Sequence, residues 1–270
     1  MDYRDLATDI SKWINSYVKK NNMECLVVGI SGGVDSAVVS TLAASTGVPT
    51  YVLSMPIKQN HNQLNLAESH IEWLVENYKN VKPLCFDLTS IFEDFIKGVD
   101  IQLGSAFSNK HAEANTRSRL RMISLYQVAS VKNGLVVGTG NKVEDYGIGF
   151  YTKYGDGGVD IAPIADLYKT EVWSLGKSLG VSEDIIKASP TDGLWDDERT
   201  DEDQIGMSYE QLEWVMKKGL KLYKDKSINL SKKEKEIIQI YLNLNLKNSH
   251  KMKTIPTYKK PKNRNPLEGK

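Results

Sequence analysis

Cysteine is scarce: two residues in 270 leave no disulfide framework on which to build a fold. Both, Cys25 and Cys85, lie in strand-like apolar runs. They are expected to be reduced core residues, which fits a cytoplasmic protein. An excess of charge of either sign is also missing. Against 35 Lys and Arg stand 34 Asp and Glu, a net charge of +1, so nothing draws the whole chain to nucleic acid or to a membrane. No apolar run approaches the length of a membrane span. The opening Met1-Asp2-Tyr3-Arg4-Asp5 carries no apolar leader, and no internal repeat divides the chain. What is present is a 40% hydrophobic complement, enough for a substantial core in one large α/β domain or two small ones.

Strand-like runs fall at 25–30, 50–55, 82–87 and 134–138, with a weaker one at 159–164. Helical patterns lie between them, at 36–45, 63–78, 90–98, 113–132 and 168–179, the last stopped by Gly180. An opening helix over 3–20 presents Leu6, Ile10, Trp13, Ile14 and Val18 on one face. This alternation predicts a single α/β domain over 1–250, with a twisted, mostly parallel sheet of about five strands and helices on both faces. Ligands of such a sheet sit at the carboxyl ends of its strands. After Pro190, Trp195 to Glu202 reads as an acidic loop. Ser208-x-x-Gln211 and Ser231-x-x-Glu234 read as capping boxes opening two more helices. Residues 251–270, rich in Lys and with few apolar anchors, are expected to be a loosely ordered basic tail.

The stretch Val28-Gly29-Ile30-Ser31-Gly32-Gly33-Val34-Asp35-Ser36-Ala37 carries the clearest chemistry. A buried strand ends in a Ser-Gly-Gly turn, and a small-residue helix begins at once. That succession binds phosphate: glycines let backbone N–H groups turn inward, and the helix dipole adds about half a positive charge. No lysine sits in the loop, so it is not G-x-x-x-x-G-K-[ST], and G-x-G-x-x-G is absent too. Asp35 would repel a bare phosphate, which suggests a bridging Mg²⁺. The plain alternative is a tight turn with a capping Asp. The run resembles the PP-loop of ATP pyrophosphatases, which split ATP between its α and β phosphates.

Two further clusters stand out. Asn115-Thr116-Arg117-Ser118-Arg119-Leu120-Arg121-Met122 opens a helix with cations at its N-terminal end, against the dipole. A bound anion would offset that cost; a solvated basic turn is the plain alternative. Arg117 and Arg121 share a face, and Arg119 points elsewhere. Leu135 to Glu144 runs from a strand into a polar turn ending in a carboxylate. Tyr151-Thr152-Lys153-Tyr154-Gly155-Asp156-Gly157-Gly158-Val159-Asp160 packs Lys, Asp and three glycines together, more than the surface hairpin it could otherwise form requires.

Taken in order with Pro190-Thr191 and Thr200-Asp201-Glu202, these segments resemble the short form of the NAD synthetase family over residues 3 to 251, with an adenine nucleotide alpha-hydrolase-like fold. The resemblance implies an enzyme in which the carboxylate of deamido-NAD attacks the α-phosphorus of ATP. Ammonia then attacks the adenylate, and NAD and AMP leave. It implies a catalytic set of Asp35, Glu144 and Lys169, with Asp35 and Glu144 as Mg²⁺ ligands. ATP contacts would come from Gly29, Ile30, Ser31, Gly32, Gly33, Val34, Ser36, Thr139 and Thr191. Asn115, Arg119, Lys153, Asp156, Asp160, His250 and Lys251 would hold deamido-NAD. A homodimer is implied, and the helix after Asn115, apolar at Met122, Leu125, Tyr126 and Val128-Ala129, is the candidate contact. An arginine of some members, just before the Leu/Met-Pro step of the second strand, is replaced by Ser54. The stretch from Glu144 to Lys153 differs slightly in length from some members, so Asp145 to Tyr151 are not mapped onto the family.

Two other readings remain. Another PP-loop enzyme, an amidotransferase or a sulfur transferase acting on tRNA, would in the latter case show a basic surface or an RNA-binding appendage. A nucleotide sensor would have lost Asp35 or Glu144. No room exists for a glutaminase domain, and Cys25 lies inside a strand, so free ammonia is the expected nitrogen source, unless a separate glutaminase subunit supplies it.

Overall fold

Successive residues of a strand point to opposite faces of its sheet, and here both sets are apolar. In β1 (Cys25–Gly29), Leu26 and Val28 enter one core, while Cys25 and Val27 enter another. β2 (Thr50–Ser54) divides Val52 from Leu53 in the same way, and β4 (Gly134–Val136) divides Leu135 from Val136. A sheet apolar on both faces must be covered on both. The structure, a computed structural model, describes residues 2–59, 61–104, 109–190, 200–225 and 227–260. Its strands are all parallel, in the order β3-β2-β1-β4, with β3 spanning Val81–Cys85.

On the first face, α1 (Tyr3–Lys20), α2 (Val34–Ser45), α3 (His61–Asn77), α6 (Lys169–Leu179) and α7 (Glu183–Lys187) pack through residues such as Ile14, Leu42, Leu74, Leu175 and Ile185. On the second, α4 (Thr89–Leu103) and α5 (Lys110–Val131) pack through Phe92, Val128 and Ala129. A third core lies beyond the sheet. There a π-helical segment, Lys142–Ile148, meets α8 (Asp201–Ile205), α9 (Tyr209–Trp214) and α11 (Lys232–Met252). Between the last two, α9 continues through π-helical Val215–Gly219 into α10 (Leu220–Lys224).

The expected fifth strand at 159–164 is a correction: only a single bridge, Val137 to Ile161, forms there. The Val136 N–H that would serve a longer ladder goes instead to the Asp160 carboxylate, at 2.8 Å. Pro163, two residues beyond Ile161, has no N–H to give. The sheet therefore has four strands. Cys85 is a second correction, because β3 is an edge strand and Cys85 is exposed; both cysteines are free. The apolar stripe of α5 turns inward: Val128 and Ala129 are buried, with Leu125 and Tyr126 packed beside them.

Other local expectations hold. Gly180 ends α6 in the left-handed region, and both capping boxes open their helices. Thr200 caps α8 through a third box with Asp203, so Asp201 and Glu202 belong to a helix rather than to the acidic loop. Residues 195–199 of that loop fall within 191–199, which lie outside the described residues. α11 runs to Met252, past the expected domain edge, and residues 253–260 are exposed and irregular.

Candidate active site

In the order β3-β2-β1-β4 the connections from β1 and into β4 leave on opposite sides, and the crevice between their carboxyl ends is the site such sheets use. The loop after β1 opens into it. Ser31 and Ser36 brace this loop: their hydroxyls lie 3.0 Å apart, Ser36 donates to the Gly33 carbonyl at 2.9 Å, and the Gly33 N–H donates to Ser31 Oγ at 3.2 Å. Gly32 has φ +89°, and a Cβ there would stand 2.5 Å from the Gln63 carbonyl oxygen, so only glycine fits. Gly33 precedes α2 without any capping side-chain hydrogen bond. Asp35 is thus no cap, and the first N–H groups of the helix are left for an anion.

The Asp35 side chain meets Lys169 and Glu144 instead. Lys169 Nζ donates to Asp35 Oδ2 at 2.5 Å and to Glu144 Oε1 at 2.9 Å. Lys169 is 2% exposed, which a cation tolerates only when paired. Burial works against its charge, yet Asp35 and Glu144 outweigh it and raise its pKa above the ordinary value. Burial also opposes the Glu144 anion, but Lys169 and the Tyr209 hydroxyl hold that carboxyl below its usual range. At Asp35 burial prevails over Lys169, and the carboxyl is raised. Lys169, although it opens a helix, is therefore no solvated surface lysine.

Asn141, wholly buried, sets these groups in place. Its Oδ1 accepts from the N–H groups of Val143 and Glu144, opening the π-helical segment, and its Nδ2 donates to Asp35 Oδ1 at 3.1 Å. Asp145, next along, faces Gly140 closely. Burial, then Asp156, Glu144 and Asp35, push its carboxyl well above the ordinary range. Thr139 lies just beyond the end of β4. Thr191 lies outside the described residues.

A second group adjoins the first across Asp145. Ser118 of α5 donates to Asp156 Oδ1 at 2.6 Å, and the Thr152 hydroxyl donates to Asn115 Oδ1 at 2.6 Å. Arg119, exposed, reaches the Lys153 carbonyl at 3.3 Å. Lys153 Nζ donates to the His250 carbonyl at 3.1 Å. Lys251 Nζ donates to the carbonyls of Gly149 and Tyr151, each at 2.8 Å. Residues from α5, the 152–158 turn and α11 thus form one connected surface. Asp160 also braces the frame, accepting from Val136 N–H and from the Tyr126 hydroxyl at 3.0 Å. Where Ser54 replaces an arginine, Arg121 of α5 brings a guanidinium to the same strand end: its Nε donates to the Met55 carbonyl at 3.0 Å.

Sequence reasoning missed Asn141, Asp145 and Tyr209. Asn141 had a readable signal, an Asn capping the segment that holds Glu144. Tyr209 had none, since its partner is 65 residues away.

An uncapped helix head behind a glycine loop, at the switch point of a parallel sheet, defines an α/β protein with an anion site of the kind that the PP-loop resemblance led one to expect. Within that class the chain belongs to the NAD synthase family, whose model matches residues 6–255. It is similar to the NH(3)-dependent NAD(+) synthetase of Thermococcus sibiricus, 34% identical over 258 residues, covering 94% of this chain and 96% of the relative. Among solved structures it is similar to NMN synthetase from Francisella tularensis, with TM-score 0.81, 30% identity and coverage of 96% and 99%. It is also similar to the NH3-dependent NAD synthetase from Campylobacter jejuni, with TM-score 0.74, 28% identity and coverage of 96% and 100%.

Proposed function

We propose a division of labour among these residues for the reaction of an ammonia-dependent NAD synthetase, the ATP-driven amidation of deamido-NAD to NAD. The observation that carries it is the meeting of Asp35, Lys169 and Glu144 beside the uncapped head of α2. The loop Gly29–Ser36 grips the pyrophosphate of ATP with its N–H groups and the Ser31 and Ser36 hydroxyls. The nicotinate carboxylate attacks the α-phosphorus, and pyrophosphate leaves. Ammonia then attacks the acyl carbon, and AMP leaves with the carboxylate oxygen it acquired. Positioning and charge neutralisation are the protein's main contributions. Thr139 and Thr191 serve ATP; Asn115, Arg119, Lys153, Asp156, Asp160, His250 and Lys251 serve deamido-NAD.

Mg²⁺ fits the donor set. Two carboxylates and one ammonium leave a net charge of −1 next to a loop made for anions, a repulsion that a hard divalent cation relieves. Mg²⁺ takes one or two carboxylates and completes its shell with phosphates and water. Asp35 and Glu144 would hold it, and bound there it would neutralise charge on the phosphates. Lys169 favours the ionised form of both carboxylates and turns them to the same side.

Exposed apolar residues on α4 (Ile91, Phe95, Ile101, Leu103) and Ile123 on α5 support a homodimer through these helices. Ile123 replaces the inward stripe of α5 as the contact expected of that helix. Two free cysteines, and the lack among the described residues of a helix long and apolar enough to cross a membrane, support a cytoplasmic enzyme. The catalytic domain ends with α11, and the basic tail follows it.

The test uses purified protein with ATP, Mg²⁺ and deamido-NAD, with ammonium or glutamine in parallel tubes, read by mass spectrometry. NAD and AMP appearing together with ammonium alone is the expected result. A further tube holds nicotinate mononucleotide, the acid corresponding to the product of the NMN synthetase to which the chain is similar. Turnover of that substrate alone would overturn the dinucleotide assignment.

A further inference from the structure

Glu144 does not stand on the sheet. It sits on the π-helical segment that belongs to the third core, and its place relative to Asp35 must be set by contacts between the two bodies. Lys169 is one such contact. Asn141 is another, and Glu144 is held besides by Tyr209 of the same third core, the first residue of α9, whose side chain is wholly buried. Its hydroxyl lies 2.6 Å from Glu144 Oε1 and 3.2 Å from Asp201 Oδ2. The same ring presents its face to Lys169 Nζ, 5.0 Å from the centroid, and meets Trp173 edge-on at 5.8 Å. A phenol has one proton to donate, and the shorter contact gives it to Glu144. Burial, with Glu144 and Asp201 beside it, raises the hydroxyl's pKa, so it stays a donor.

We infer that Tyr209 is a positioning residue for Glu144: its hydroxyl and Lys169 both land on Oε1 and thereby orient the carboxylate toward the metal. This rests on the reading of Glu144 as a Mg²⁺ ligand. The backbone N–H of Tyr209 donates to Glu202 Oε1 at 2.8 Å, and the Asp201 N–H donates to the Pro190 carbonyl at 2.9 Å. One side chain thus ties the start of α8 and α9 to the loop–lysine–carboxylate site. Outer partners of this kind govern metal affinity even though they never touch the ion.

The test titrates Mn²⁺ as the probe into the full chain with α,β-methylene-ATP, reading free Mn²⁺ by electron paramagnetic resonance. Tyr209→Phe keeps the ring and its face to Lys169 and removes only the hydroxyl; it is expected to weaken Mn²⁺ binding about tenfold. Ser208→Ala breaks the capping box of the same helix without touching Glu144. It should lower thermal stability and leave Mn²⁺ binding at the wild-type value. Equal weakening by both variants would mean that a loosened fold, and not orientation of Glu144, was responsible. Glu144→Gln separates the two readings. If it loses Mn²⁺ while Tyr209→Phe binds as wild type, the metal reading stands and the role of Tyr209 is overturned. If Glu144→Gln binds Mn²⁺ unchanged, the metal reading itself fails. Should Tyr209→Phe not fold, difluorotyrosine at 209 keeps the shape and alters the strength of donation; an unchanged Mn²⁺ affinity would then refute the inference.

Discussion

Replacing Lys169 by Met retains the length of the side chain and removes the charge that Asp35 and Glu144 share. Their side chains are only 17% and 15% exposed, so water does little to take over from the ammonium. Breaking a buried pair from one side costs about 3–5 kcal/mol. At roughly 2.1 cal/mol/K of unfolding entropy per residue over 270 residues, that is a fall in Tm of about 5–9 °C. The pH dependence gives a sharper signature. In the wild type Glu144 titrates below its ordinary value, so its contribution is present above the unfolded pKa and is lost as pH falls through the lower folded one. In Lys169→Met burial and mutual repulsion, which raise the folded pKa values, are opposed only by the hydrogen bonds from Tyr209 and Asn141. The folded variant then binds protons more readily than the unfolded chain, and mild acid stabilises it relative to neutral pH. Calorimetry of both proteins from pH 7 to pH 5, without nucleotide, reads the difference. A variant with the wild-type Tm and the wild-type pH slope would refute the ion-pair account.

Three further outcomes are expected. Asp35→Asn and Glu144→Gln should each cut AMP formation by several orders of magnitude with the circular dichroism spectrum unchanged; turnover near wild type would remove both from the chemistry. Gly32→Ala should abolish ATP protection against proteolysis, because φ +89° and the nearby Gln63 carbonyl leave no room for a Cβ, and normal ATP binding would show the loop to be looser than described. His70, buried on Ser40 at 3.0 Å, has a pKa lowered to about 4 by burial. The unfolded chain binds its proton first, so stability drops as pH falls from about 6.5 toward 4, by about 3 kcal/mol in all. His70→Gln should flatten that slope by one proton in urea titrations, and identical slopes would mean the imidazole is already open to water.

Much of the fold was legible because its causes are local. Strand runs at Cys25 and Thr50, the Gly180 stop and the Ser208 and Ser231 capping boxes each depend on a few neighbouring residues, and each appears where expected. The fifth strand failed for a nonlocal reason. The run 159–164 has the composition of a strand, but the Asp160 carboxylate takes the Val136 N–H across the chain. Cys85 failed likewise: an apolar-looking run says nothing about whether its strand lies at the edge of the sheet. At the site, the phosphate loop was readable from its glycines. Lys169 could be placed only through family resemblance, since a lysine opening a helix looks the same whether buried or solvated.

By itself, then, the sequence determined a parallel α/β fold and an anion-binding loop at the end of its first strand; the residues of an adenylating site were named only through the family resemblance. The fold and the loop follow from side-chain alternation, glycine's access to positive φ and the dipole of a helix head, which act over a few residues. Only the tertiary structure decided that Asp35, Glu144 and Lys169 meet, that Asn141 reaches Asp35, and that Tyr209 reaches Glu144 within the third core. Those contacts join residues 25 to 134 positions apart. Their geometry is set by how helices pack over the sheet, which no short window of sequence records.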